Sequence, residues 1–200
     1  MKTYELELPQ NYVEAKTIDA KNDKKVMSIF TIVSFLVLII AVVIAVLCLN
    51  ATQPNWTEQI FEDTSTLWHG LVFIVAMLVY VILHELTHGV VYKITTKQKL
   101  TFGLTLTVAY CGVPNIYVYR KTALKAVLAP FVVFLPIFIV ALCLMTKPLD
   151  IIWTSFLLGM HVGGCVGDLY CAYLYLFKFR DNSTLMRDTG PVQTFYVPAE

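Results

Sequence analysis

The sequence predicts a mainly α polytopic membrane protein with four transmembrane helices and a small β-hairpin between the second and third. Three observations carry this. Of the 200 residues, 58% are hydrophobic and only 14% charged, against about 25% charged in an ordinary soluble domain. No Asp, Glu, Lys or Arg occurs between Lys25 and Glu58, between Asp63 and Glu85, between Lys125 and Lys147, or between Asp150 and Asp168. One stretch between the second and third of these gaps alternates with a period of two. A spanning helix needs roughly 20 mostly apolar residues, so the gaps give spans of about 27–49, 68–93, 124–145 and 151–178.

Residues 1–26 form a cytoplasmic N-terminal segment, with Lys21, Lys24 and Lys25 beside the membrane. The first span follows a polar leader and lacks a small-x-small cleavage site, so it reads as an anchor rather than a signal peptide. The loop of residues 50–67 holds acids but no Lys or Arg. The loop of residues 94–123 holds Lys97, Lys99, Arg120 and Lys121, and Lys178, Arg180 and Arg187 close the chain. Positive-inside bias then makes both termini and the middle loop cytoplasmic. Residues 27–178 form the membrane domain and residues 179–200 a cytoplasmic tail. A net charge of +1 gives no bulk attraction to nucleic acid. The partners expected are the lipid bilayer and a membrane protein or peptide, and the oligomeric state is open.

The second span carries Leu83-His84-Glu85-Leu86-Thr87-His88-Gly89. Residues four apart share a helix face, so His84 and His88 can turn imidazoles to one metal ion, with Glu85 as general base: the zinc-peptidase arrangement. At about 1.5 Å per residue, His88 and His84 lie roughly 7 and 13 Å from the cytoplasmic end of the span. A metzincin pattern requires glycine and histidine where Val91 and Ile94 stand. The only Glu after Glu85 is Glu200. Among the downstream aspartates, Asp150 is on the outer side and Asp181 and Asp188 lie past the last span. Asp168, roughly 15 Å deep, is the expected third ligand.

Leu100–Val108 reads as a strand, Gly112-Val113-Pro114-Asn115 as a turn and Ile116–Tyr119 as the return strand, giving a hairpin over 100–119. It reads as a cover over the site or as an edge strand for an extended substrate. Pro130 and Pro136 predict a kink in the third span. Gly159, Gly163 and Gly167 form two overlapping G-x-x-x-G steps that admit a neighbouring helix. His161, two turns before Asp168, reads as a packing histidine, with oxyanion donor, supporting partner and alternative ligand as the other readings. Cys165 reads as a small packing residue or a metal contact. Cys111 and Asn115 are further candidates near the site. The tails around Thr3–Pro9 and Gln193–Pro198 read as strands that pair with each other.

The motif in one span with an Asp from a later span resembles the site-2-protease class of intramembrane metalloproteases. More closely, the chain resembles the small four-span bacterial zincin peptidases, through Leu8-Pro9, His84–Gly89, Cys111-Gly112-Val113-Pro114, Leu128-Ala129-Pro130 and Gly167-Asp168. That resemblance implies a zinc ion held by His84, His88 and Asp168, Glu85 as base, and a place in a bacterial plasma membrane. The chain departs from the site-2-protease pattern, which has Leu-Asp-Gly after an Asn- and Pro-containing stretch, where this sequence has Gly167-Asp168-Leu169. The departure removes an asparagine that would stabilise an oxyanion. The function expected is zinc-dependent hydrolysis of a membrane or juxtamembrane peptide bond, and the alternative is a non-proteolytic metal-binding or metal-transporting membrane protein.

Overall fold

The computed structural model describes residues 2–63, 66–104 and 109–199. The elements run β1 (Tyr4–Glu5), β2 (Tyr12–Asp19), α1 (Lys24–Thr52), α2 (Trp56–Glu62), α3 (Thr66–Thr96), β3 (Thr101–Leu104), β4 (Ala109–Gly112) and β5 (Tyr117–Tyr119). They continue with α4 (Arg120–Leu144), α5 (Pro148–Gly164), α6 (Val166–Tyr173), β6 (Leu185–Asp188) and β7 (Val192–Pro198). Among the described residues four helical stretches are long and apolar enough to cross a membrane: Lys24–Thr52, Thr66–Thr96, Arg120–Leu144 and Pro148–Lys178. Their apolar side chains are not consumed by the protein. Phe35, Leu36 and Ile40 on α1 and Val75, Leu78 and Ile82 on α3 all remain exposed. A helix that is apolar all round and unburied needs lipid as its solvent, so the chain reads as an integral membrane protein.

The last span is not one regular helix. α5 ends at Gly164, α6 starts at Val166, and Leu174–Lys178 is a turn of π-helix. The Phe179 N–H closes that turn on the Leu174 carbonyl at 2.7 Å.

A five-stranded sheet in the order β1-β5-β6-β7-β2, antiparallel throughout, is the feature that the hydropathy pattern concealed. Two expectations are corrected by it. The hairpin does not run from 100 to 119: β3 pairs with β4, setting Phe102 opposite Cys111 and Leu104 opposite Ala109. The expected strand residues 105–108 lie outside the described residues. Tyr117–Tyr119 is no return strand, because it enters the large sheet between β1 and β6, where Val118 is fully buried. The expected turn at Gly112–Asn115 instead links the two sheets, with the Val113 N–H donating to the Asp188 carbonyl at 2.8 Å. The tail strands do join one sheet, but not each other: β1 lies against β5, and β7 lies between β6 and β2. Since β2 precedes the first span and β7 follows the last, the segments flanking the membrane domain share one side.

The chain divides into two compact units. One comprises Met1–Phe30, Ile82–Pro130 and Gly167–Glu200, the other Thr31–Val81 and Phe131–Val166. The first holds both sheets. Its core joins Val118, Met186 and Phe195 of the large sheet to Tyr92 of α3, Ala123, Ala126 and Val127 of α4, and Cys171, Ala172 and Tyr175 of the last span.

Among the described residues, the regular structure of the second unit is all helical. Phe73 of α3 stacks on Trp153 of α5 with ring centroids 4.4 Å apart, and His69 Nε2 lies 3.3 Å from Asp150 Oδ1. The G-x-x-x-G steps here serve α1. A Cβ built on Gly159 would meet Leu38 and Ala41, and one built on Gly163 would meet the Ser34 backbone carbonyl at 2.9 Å, while Gly164 faces open space. Because backbone cannot move aside as a flexible side chain can, Gly163→Ala is expected to cost about 1–3 kcal/mol, the range for overpacking. Gly164→Ala is expected to be tolerated. Thermal unfolding of the two variants in detergent checks this, and equal melting temperatures would contradict it.

Candidate metal centre

Helical periodicity builds the site. The second half of α3 buries His84, His88, Tyr92 and Thr96, each four residues after the last, so they form one stripe down one helix face. Asp168 sits in the first turn of α6, where the helix dipole favours a negative charge. All of these residues belong to the first unit.

His84 Nε2 and His88 Nε2 each lie 3.4 Å from the same oxygen, Asp168 Oδ2. The two imidazoles meet edge to face with centroids 5.1 Å apart. One donor atom from each residue lies within 4.8 Å of the others, an arrangement that could hold a metal ion. The spacing discriminates. A charge-assisted hydrogen bond would draw N and O to about 2.7–2.9 Å. Zn–N and Zn–O distances of about 2.0–2.2 Å at tetrahedral angles separate the ligand atoms by about 3.3 Å. The observed 3.4 Å matches the latter, and two imidazoles with one carboxylate are a three-ligand set that keeps a coordination position open. The residues present therefore fit zinc.

His88 is held from behind. Its Nδ1 lies 2.8 Å from the Ala126 carbonyl on α4. A carbonyl only accepts, so Nδ1 carries the proton and Nε2 keeps its lone pair towards Asp168, the arrangement that orients metal-binding histidines.

Glu85 is oriented by the hairpin. Its carboxylate accepts the backbone N–H of Cys111 on β4. The hairpin can come this close because α3 has no side chain at Gly89, where an added Cβ would meet Phe102 at 2.8 Å and the Cys111 sulfur at 3.2 Å. Burial, aided by the carboxylates of Asp188 and Glu85, pushes the Cys111 thiol up to about 12. It is a neutral packing group at physiological pH. Asn115 is exposed in the turn before β5.

His161 and Cys165 belong to the other unit. There His161 is fully buried, its Nδ1 2.8 Å from the Tyr80 hydroxyl and its ring stacked on Phe131. The Cys165 sulfur lies 3.8 Å from that same Nδ1.

Two further residues join this region: Tyr92, which belongs to no motif, and Asp188, which lies past the last span in sequence. Asp188 is buried at the end of β6 and accepts the Tyr92 hydroxyl at 2.7 Å and the Gly190 N–H at 2.8 Å. Gly190 takes φ +95°, and a Cβ there would strike the Tyr110 ring at 2.1 Å, so the turn that caps Asp188 needs glycine. The only signal was the four-residue spacing from His88 to Tyr92.

Burial pushes the Asp188 carboxyl from its ordinary 3.8 up to about 6, against the hydrogen bonds it accepts. The folded chain holds this proton more tightly than the unfolded chain. The group's contribution to stability is therefore greatest below pH 4 and declines as pH rises to about 6. The melting temperature of chelator-treated protein, relative to Asp188→Asn, is expected to fall between pH 4 and pH 7. A constant difference across that interval would refute the assignment.

The family model described as "Putative zincin peptidase" matches residues 77–184, which include all four residues of the candidate centre. No curated protein and no solved structure matches the chain.

Proposed function

Because the chain belongs to the zincin peptidase family, whose cofactor is zinc, we propose that it is a membrane-embedded endopeptidase that cleaves a membrane or juxtamembrane protein. The observation that carries this reading is the convergence of His84 and His88 on one oxygen of Asp168, with Glu85 next in sequence to His84.

In this reading His84, His88 and Asp168 hold the zinc, which supplies Lewis acidity for a peptide carbonyl and for water. Glu85 takes the proton of the attacking water on its carboxylate and delivers it to the departing amine. The Cys111 N–H keeps that carboxylate aimed while it waits. The Ala126 carbonyl keeps Nδ1 of His88 protonated and Nε2 available. Peptide hydrolysis needs an extended substrate, and β3 supports that need. Its one partner among the described residues is β4, its residues are mostly exposed, and its Phe102 lies over Gly89. A peptide adding to the free edge of β3 would gain backbone hydrogen bonds next to the metal centre. The flanking sheet faces the cytoplasm in this reading, on the basis of the loop charges.

The test uses purified protein in detergent and in cells. Wild type is expected to hold one equivalent of zinc by elemental analysis, and His84→Ala, His88→Ala and Asp168→Ala to lose it. Glu85→Gln is expected to keep the zinc and to lower cleavage by about 10²–10⁴-fold. New protein termini that appear in the host membrane fraction with wild type should vanish with this variant. Undiminished cleavage by Glu85→Gln would sink the catalytic assignment. Zinc flux into vesicles that survives the substitution would favour a metal transporter instead.

A further inference from the structure

The contact that orients His88 depends on a missing hydrogen bond in another helix. α4 runs through Pro130 from Arg120 to Leu144. In a regular helix the carbonyl of residue 126 accepts the N–H of residue 130. Proline has no N–H. The Ala126 carbonyl is thereby released, inside a region where Ala126 and Pro130 are both buried, and an unpaired carbonyl there is costly. His88 Nδ1 lies 2.8 Å from it, and the Nε2 of the same ring lies 3.4 Å from Asp168 Oδ2.

We propose that Pro130 is a positioning residue for the metal centre: by withholding an N–H from Ala126, it leaves a carbonyl that fixes the tautomer and orientation of His88. The inference rests on the zinc reading of the site and adds how one ligand is prepared. Restoring an N–H at residue 130 would give the Ala126 carbonyl back to its own helix. The His88 ring would lose its anchor without losing any metal-binding atom. Pro136, six residues on in the same helix, provides the control for a general straightening of α4.

Two measurements test this. In the first, zinc affinity is measured in detergent by competition with a chromophoric chelator for wild type, Pro130→Ala and Pro136→Ala. Pro130→Ala is expected to bind zinc about 10–100-fold more weakly, the usual effect of removing a partner behind a metal ligand, with Pro136→Ala close to wild type. In the second, ring-¹⁵N-labelled histidine in metal-free wild type reports the tautomer of His88, identified by its loss in His88→Ala. The Nδ1-protonated form is expected. The second measurement needs no proline variant, so the proposal can still be overturned if Pro130→Ala fails to fold. Zinc affinity unchanged in Pro130→Ala, equal weakening in Pro136→Ala, or an Nε2-protonated His88 in wild type would each overturn the proposal alone. Wild-type protein that binds no zinc would overturn the zinc reading and this proposal with it.

Discussion

Two imidazoles and a carboxylate have been carried into segments that must otherwise be apolar, and they share one oxygen atom there. That is the constraint from which the first unit follows. Each of these groups alone costs free energy in a membrane, and each partner it finds offsets some of it. Asp168 Oδ2 serves both His84 and His88, and α6 begins afresh at Val166, which puts that carboxylate in a first helical turn. The far nitrogen of His88 would be a second polar liability, and a carbonyl from α4 takes it up. Glu85, the remaining ionisable group in this part of α3, is met by a backbone N–H of β4. A helix start at α6, a strand at β4 and the interior of α4 ahead of Pro130 are the sources of these contacts.

Two of the contacts around the centre are drawn from backbone. The Ala126 carbonyl and the Cys111 N–H are both main-chain groups. Backbone groups bring no ionisation of their own and are placed by whole elements rather than by rotamers. Side-chain chemistry returns one turn below, where Tyr92 and Asp188 tie α3 to the end of β6. Thus α3 is held at His88 from α4 and at Tyr92 from the sheet.

What the sequence disclosed and what it withheld differ by range. The spans were legible because charge gaps are a property of contiguous residues. His84 and His88 were legible because a helix fixes the direction of residues four apart. Asp168 emerged because few acids lie at the right depth. The large sheet was not legible. Its strands are two to eight residues long, come from three separated stretches of chain, and choose partners by tertiary contact rather than local pattern. Ile116–Tyr119 alternates as a return strand should, yet nothing local says that β1 and β6 are its neighbours. Asp188, past the last span, reads as a solvated loop acid until the chain folds it back into the core. Pro130 predicted a kink in its own helix but not the histidine, 38 residues before Ala126, that meets the Ala126 carbonyl.

The strand order β1-β5-β6-β7-β2 also sets a timetable. β2 is made before α1, yet its neighbour in the sheet is β7, which ends at Pro198. β5 gains one neighbour from the start of the chain and the other only when Leu185–Asp188 has been synthesised. During translation the two histidines enter the membrane long before the sheet beside them can close. Asp188 comes later still than Asp168, so the clamp on Tyr92 is among the last contacts available. A chain interrupted after Lys178 would own His84, His88 and Asp168 and lack the strands that complete their unit. The enclosure of this site is thereby tied to synthesis of β6 and β7, and an intermediate that lacks them is left with an open sheet.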